Sequence, residues 1–301
     1  MKPELHRMQL FAQIVESGSI TKAAERLELS KSVVSHHLQA LEQHLGVTLL
    51  TRTTRRQSLT EAGKGFYQRC AEMNKLMQLA EEEARGSNVE LAGTITVTSP
   101  HTLMSRLVCP AMCEFIDRHP GIEPRLLAND MRLNLIDKYI DLSVRVGDLP
   151  DSSARAVKIG ELEQLLCAAP NYLARKGITL PVTEAQLTEL DYIANQWEGT
   201  KVERRFMVGK DSSLSYRFHS TRVGDSVPTI RMMALAGLGI ACLPRLAIEA
   251  ELSRGALVRL LPGDIGLMAP LWIVHNYGLQ MPHRIRAFID HLKAKADTMA
   301  F

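Results

Sequence analysis

Two apolar-periodic segments, residues 20–27 and 30–45, are separated only by Glu28, Leu29 and Ser30. A connection that short permits little except a tight helix-turn-helix, and Ser30 is the natural N-cap of the second helix. On a wheel of about 100° per residue, Val34, Leu38, Leu41 and Leu45 form a narrow inner stripe. The opposite face carries Ser32, His36, Gln39 and Gln43, with Ser35 on its flank and Lys31 at the first helical position. Hydroxyls, amides and imidazole there can exchange hydrogen bonds with base edges, and the helix start supplies donors for a phosphate. An ordinary solvated helix face is the alternative.

The next segment favours the nucleic-acid reading. Residues 47–50 and 57–59 read as short strands around the loop Thr51, Arg52, Thr53, Thr54, Arg55, Arg56. Such a wing has no acidic neighbour in the loop, so Arg52, Arg55 and Arg56, with Thr53 among them, are placed to follow a phosphate backbone. Residues 1–60 hold eight Lys or Arg against five Glu, the whole-chain excess of +3, so the other 241 residues carry 28 charges of each sign. Nucleic-acid binding is therefore expected at the N-terminus alone.

Upstream, residues 4–17 place Leu5, Met8, Phe11, Ala12 and Val15 on one helical side, and Ile20, Ala23, Ala24 and Leu27 pack the second helix against it. Thr60 caps a long helix over residues 61–85, in which Phe66, Cys70, Met73, Met77, Ala80 and Ala84 recur with heptad spacing. An isolated helix has nothing to bury such a seam against, which predicts pairing with a second chain.

The stretches GS-x-T-x-AAE-x-L (from Gly18), S-x-x-L-x-x-LE-x-x-LG-x-x-L (from Ser35) and R-x-x-R-x-x-x-LTEAG (from Arg52) together resemble the LysR-type transcriptional regulator family. The match covers residues 18–63, and weaker features continue: Pro170 to Gly177 (PNYLARKG) and a G-x-G-I-x-x-L-P stretch from Gly237 to Pro244. One departure is that Lys31 and His36 stand where Gln and Arg are commonest, so operator preference is not transferable. The resemblance implies a regulator of transcription that binds double-stranded promoter DNA as a homodimer or tetramer. It also implies a linker helix that pairs protomers and a small-molecule effector contacted at the first loop of the regulatory domain.

After Gly86, Ser87 and Asn88 the texture changes to alternating strands and helices: strands at 94–98, 122–128 and 142–146, helices at 103–118 and 133–139. That order implies βαβ units and a largely parallel sheet. Beyond a crossover near residues 162–168, a second unit includes strands at 191–195, 218–222 and 239–243 and a helix at 226–236. A strand at 271–275 and a helix at 282–296 return to the first. The expected fold is α/β: an α-dominated winged helix-turn-helix (1–60), a linker helix (61–88), and a two-lobed, periplasmic-binding-protein-like, Rossmann-like regulatory domain. Lobe I covers 89–163 and 270–301, and lobe II covers 164–269.

In such a domain, ligands bind where strand ends and helix starts face each other across the lobes. Those positions are Ser99, His101 and Thr102, then Asn129 and Asp130, then Val146, and in the distal lobe Asn195, Gln196, Asp225 and Ser226. Hydroxyls and imidazole beside free backbone amides favour an anion such as a small carboxylate, whereas Asp130 and Asp225 would repel one if they point inward.

Gly224, Asp225 and Ser226 spell a GDS block, but no D-x-x-H follows to supply a base, and a helix cap explains the same residues. His275, His283 and His291 lack metal-ligand spacing. Neither catalysis nor a cofactor or metal is expected. Five scattered cysteines, with Cys109 and Cys113 four apart on one helix, read as reduced, buried small side chains. With 46% hydrophobic and 23% charged residues, and no N-terminal apolar leader or membrane-length apolar run, a cytoplasmic protein is expected.

Overall fold

The computed structural model describes residues 3–52, 57–85, 90–131, 140–149, 154–208, 212–262, 265–277 and 281–299. The backbone divides into two units, Met1–Val89 with Gln280–Pro282, and Glu90–Leu279 with His283–Phe301.

In the first unit, α1 (Pro3–Ser17), α2 (Ile20–Arg26) and α3 (Lys31–Leu45) form a three-helix core. Serine hydroxyls cap the second and third helices: Ser19 accepts from the Lys22 amide and Ser30 from that of Val33. Val34, Leu38 and Leu41 are buried as the wheel requires, but Leu45, in the last turn, is 37% exposed. On α1 the buried residues are Leu10, Phe11, Ala12 and Ile14, whereas Leu5, Met8 and Val15 are only half-buried. This corrects the expected stripe. Because α1 packs against α2, α3 and α4 (Glu61–Arg85) at once, it buries a wider arc than a single amphipathic stripe.

The wing strands β1 (Leu50–Arg52) and β2 (Gln57–Leu59) pair antiparallel, Leu50 opposite Leu59. The first begins later than expected, and Val47 is exposed. Approaching the strand, the Leu49 and Leu50 amides both donate to Glu42 Oε1, at 2.7 and 3.1 Å. Leu49 is then a junction. Its carbonyl accepts from the Thr60 amide at 3.0 Å, and Thr60 Oγ1 in turn caps α4 by accepting from the Gly63 amide at 2.9 Å. A Cβ at Gly63 would sit 2.0 Å from that same Leu49 oxygen, which is why the TEAG stretch ends in glycine.

The heptad seam of α4 is not left open to the extent its spacing implied. Cys70 is fully buried, and Phe66, Met73 and Met77 are half-buried. The Phe11 ring of α1 lies 5.7 Å from that of Phe66 and 6.2 Å from that of Tyr67, and Gln9 Nε2 reaches Met77 Sδ at 3.4 Å. The chain's own first helix therefore fills the first half of the seam, while Ala80 and Leu76 remain exposed. The Ala84 side chain and Gly86 to Asn88 lie outside the described residues.

The second unit opens with β3 (Ala92–Ser99). One unbroken helical run follows: α5 (His101–Leu103), a π-turn over Met104–Val108 and α6 (Cys109–Arg118). Next come β4 (Gly121–Ala128), β5 (Leu142–Val146) and the long β6 (Arg155–Ala168); the helix expected at 133–139 lies outside the described residues. The chain continues through α7 (Pro170–Arg175), α8 (Glu184–Thr188), β7 (Ile193–Asn195), a 3-10 turn (Gln196–Glu198), β8 (Lys201–Val208), β9 (Ser212–His219) and β10 (Arg222–Gly224). It closes with α9 (Val227–Leu235), β11 (Ile240–Pro244), α10 (Arg245–Ser253), β12 (Val258–Arg259), β13 (Ile265–His275) and α11 (His283–Asp297).

The main sheet has the order β11-β6-β13-β5-β3-β4. It is mixed, not largely parallel: β3 is parallel to β4 and β5, but β13 is antiparallel to both β5 and β6, and β11 is antiparallel to β6. The chain leaves the first lobe along β6 and returns along β13, so those two strands must run in opposite directions. The strand expected at 218–222 is interrupted at Ser220, whose hydroxyl lies 2.8 Å from both the Tyr192 and Arg222 carbonyls. Gly239 closes the turn after α9 where a Cβ would meet the Asp191 carbonyl at 2.2 Å. The distal lobe buries Tyr172, Tyr192, Phe206 and Phe218 on one side of β6 and β11, and Ile193, Ile230, Leu243 and Ile248 on the other.

Its outer end is fixed by Asp191, which accepts from Tyr172 Oη and Arg222 at 3.0 Å and from Lys176 at 3.1 Å. Burial pushes this carboxyl up, but hydrogen bonds from Lys176, Arg222 and Tyr172 outweigh it and hold the pKa at about 2.

Candidate functional site

On α3, Lys31, Ser32, His36 and Gln39 are exposed and Ser35 is half-buried. Ser32 Oγ lies 2.9 Å from the capping Ser30 Oγ, so its hydroxyl is held at the helix start. Next to this face, the His37 ring packs edge-on against His6 (5.5 Å) and His36 (6.0 Å). Burial, then the nearby His6, Arg7 and His36, lower the His37 pKa. Val33, 39% exposed beside Ser32, adds an aliphatic side chain to these polar groups. Arg52 ends β1, but its side chain, like Thr53, Arg55 and Arg56, lies outside the described residues.

In the regulatory unit, Ser99 ends β3 fully buried, and among the described residues its Oγ has no hydrogen-bond partner. Its carbonyl accepts from the Asn129 amide at 2.9 Å. The Asn129 carbonyl in turn accepts from Arg145 at 2.9 Å, and that buried guanidinium also reaches Ser143 Oγ at 2.8 Å. Arg145 puts a positive charge beneath the strand ends. It was missed because it lies inside an apolar strand, where the one signal is a cation in a run of buried residues. Val146 follows it, half-buried, opposite Leu271.

Asp130 is turned inward with its side chain 3% exposed, but its Oδ2 lies 2.6 Å from Nδ1 of the half-exposed His101, so it faces a partner. Thr102 is buried in the first turn of α5, whose N-cap is Pro100 and makes no side-chain cap.

Across the unit, parallel pairing sets Asn195 beside Gly224, the residue that leads into Asp225, Ser226 and α9. Gln196 and Trp197 are exposed in the adjoining turn. Ser226 is the N-cap of α9 but makes no side-chain bond to its amides; its Oγ lies 2.8 Å from Thr229 Oγ1. Ser226 is thus the cap residue that the sequence offered, without a side-chain cap bond, and its hydroxyl has a threonine partner in place of the base a hydrolase needs. Asp225 accepts from Thr229 at 3.2 Å. Finally, α5 packs against α9, so the helical run that begins at His101 lies beside the helix that Ser226 opens, and neither start has a side-chain cap. Helix starts without side-chain caps carry free amide donors, which favour a negatively charged group.

Cys113 is exposed and Cys109 half-buried, contrary to the expectation for all five; Cys70, Cys167 and Cys242 are buried. Burial pushes the Cys70 thiol up to about 11. Among the described residues there is no cluster of three His, Cys, Asp or Glu able to hold a metal, and no helix long and apolar enough to cross a membrane.

Residues 88–297 match the profile of the LysR substrate binding domain, and residues 5–64 that of the bacterial regulatory helix-turn-helix protein, lysR family. The chain is similar to the HTH-type transcriptional regulator PtxR of Pseudomonas aeruginosa, 30% identical over 289 residues that cover 96% of this chain and 92% of PtxR. It is also similar to the regulator CrgA of Neisseria meningitidis, whose solved structure aligns with a TM-score of 0.59 at 30% identity over 97% of this chain and 98% of that one. The full-length Vibrio cholerae virulence activator AphB aligns with a TM-score of 0.57 at 26% identity over 98% and 99% of the two chains.

Proposed function

This chain belongs to the LysR family of transcriptional regulators, and from that premise we propose which of its residues read DNA, where its effector binds and what charge that effector carries. Its helix-turn-helix binds DNA, and its C-terminal domain binds a small-molecule effector. Lys31, Ser32, Ser35, His36 and Gln39 meet base edges and phosphates in the major groove, while Arg52, Thr53, Arg55 and Arg56 follow the backbone on the wing. Residues 1–60 form the reading head, 61–88 the linker and 89–301 the regulatory domain. Two copies pair through the exposed side of α4, where Leu76 is 60% exposed, and dimers pair again into tetramers. A reader of promoter DNA works in the cytoplasm.

The effector is a small organic acid held between the lobes by Ser99, His101, Thr102, Asn129, Val146, Gln196 and Ser226. The observation that supports this is the packing of α5 against α9 in the domain whose strand ends are backed by the buried Arg145. Titrating small carboxylates against the full chain, with thermal stability as readout, should give saturable stabilisation in wild type that falls at least several-fold in Ser99→Ala with Thr102→Val. An acid that stabilises both forms equally binds elsewhere and refutes the assignment.

A further inference from the structure

The reading helix does not present its histidines alone. His6, exposed near the start of α1, packs its ring edge-on against His37 of α3 at 5.5 Å, and His37 meets His36 of the exposed face at 6.0 Å. Three imidazoles thus run in contact from α1 to α3, with His37 half-buried between two exposed ends. Arg7, the next residue of α1, is half-buried and acts on the same ring. The charges that act on His37 are therefore all basic: His6 and Arg7 from α1, and His36 from its own helix. Of the other charged residues of α3, Lys31 and His44 are basic, and the single acid, Glu42, is engaged by the Leu49 and Leu50 amides. On α2, which also packs on α3, Lys22, Glu25 and Arg26 are exposed.

Four bases gathered without an acid repel one another. Among the described residues none of the four is paired with a carboxylate, and Arg7 Nε and His37 Nδ1 are buried without a hydrogen-bond partner. Burial, then the three basic neighbours, lower the His37 pKa, so the free head keeps this ring neutral at neutral pH. The counter-charge that the fold withholds is the one that DNA carries, about one negative charge per 1.7 Å of duplex axis. His36 lies on the exposed face that also holds Lys31, Ser32 and Gln39, so a duplex met by that face passes beside the stack.

We propose that His6 and Arg7 of α1 join His36 in a phosphate seat at the edge of the DNA interface, and that His37 takes up a proton when DNA occupies it. The inference rests on the reading of DNA by α3 proposed above and extends that interface to a helix outside the helix-turn-helix itself. Phosphate contacts carry no base information, so the seat adds affinity for any duplex. The sign of its pH dependence follows from linkage. A phosphate nearby raises the His37 pKa from its lowered value, so between the two values the complex holds more protons than the free head, and affinity rises as pH falls. Above that window the permanent charge of Arg7 remains.

The test is binding of the full chain to a labelled random-sequence duplex, followed by fluorescence anisotropy at fixed ionic strength from about pH 7.5 to 5.5. Wild-type affinity should rise about threefold or more across that range. His37→Phe, which keeps a ring edge-on between its neighbours, should bind within about twofold of wild type at the neutral end and lose most of the rise. Arg7→Gln should weaken binding at every pH and flatten the log-log salt slope by about 0.9. His6→Gln, at an exposed position, should weaken it most at the acid end. Thermal melting of each variant at both ends of the range separates a lost contact from a lost fold, and the wild-type series needs no variant. A wild-type affinity that stays flat or falls toward acid, or a His37→Phe chain that keeps the whole rise, overturns the inference. If His6→Gln and Arg7→Gln bind as wild type while Lys31→Ala binds more weakly, the seat is refuted and the reading helix stands. If Lys31→Ala is equally without effect, the reading helix is refuted with it.

Discussion

Asp191 shows how one side chain holds a lobe together. Tyr172 and Lys176 come from the PNYLARKG stretch and Arg222 from the start of β10, so a single carboxylate ties three segments. Because its pKa falls to about 2 in the folded chain from about 3.9 when unfolded, it contributes stability that is present above the unfolded value and lost as pH falls through the folded one. Asp191→Asn should therefore be less stable than wild type near neutrality, and the gap should narrow as pH falls from about 4 toward 2. Urea denaturation at a series of pH values checks this, and a gap that stays constant down to pH 2 contradicts it. At this scale the sequence was partly legible. Ser99, His101, Thr102 and Ser226 stand at strand ends and helix starts as their local pattern predicts. The role of Arg145 was not legible, because its partners Asn129 and Thr98 lie far along the chain.

Helices were easier to read than the contacts that cover them. The boundaries of α3 and α4 follow from capping serine and threonine and from apolar spacing, yet the α4 seam was assigned to a second chain when α1 already covered half of it. Heptad spacing says which side of a helix is apolar; it does not say what lies against it. The β8–β9 hairpin was missed for a related reason. Val202, Phe206, Tyr216 and Phe218 alternate inward, but Glu203, Arg204 and Arg205 between them obscure the period. Gly63 separates local from tertiary effects cleanly. As a helix residue it should gain about 1 kcal/mol on replacement by alanine, but the new Cβ would lie 2.0 Å from the Leu49 carbonyl. Gly63→Ala should lower the stability of the N-terminal unit by about 1–3 kcal/mol, measured by thermal melting of the full chain. A stabilised variant would show that the wing does not rest on α4.

The whole chain separates its charge: an excess of three positive charges in residues 1–60 and balance in the rest. Affinity for DNA should therefore depend on salt through a few arginines. Arg52→Ala and Arg55→Ala should each weaken binding to specific and random duplexes alike and flatten the log-log salt slope by about 0.9 per lost phosphate contact. Gln39→Ala should instead change which sequences are preferred in selection from a random pool. Wing variants with unaltered affinity and slope near 0.15 M salt would place the arginines off the DNA.

The junction at Leu49 makes a lever of the N-terminal unit. Glu42 of α3 grips the Leu49 amide, Thr60 holds its carbonyl, and Gly63 of α4 lies directly beneath, so reading helix, wing and linker turn as one body. The 25 residues of α4 give that body an arm of about 37 Å at 1.5 Å per residue. A tilt of about 10° at the far end sweeps the near end through roughly 6 Å, almost two base-pair steps at 3.4 Å each. A change of angle alone would therefore move the reading end by a distance that a double helix resolves.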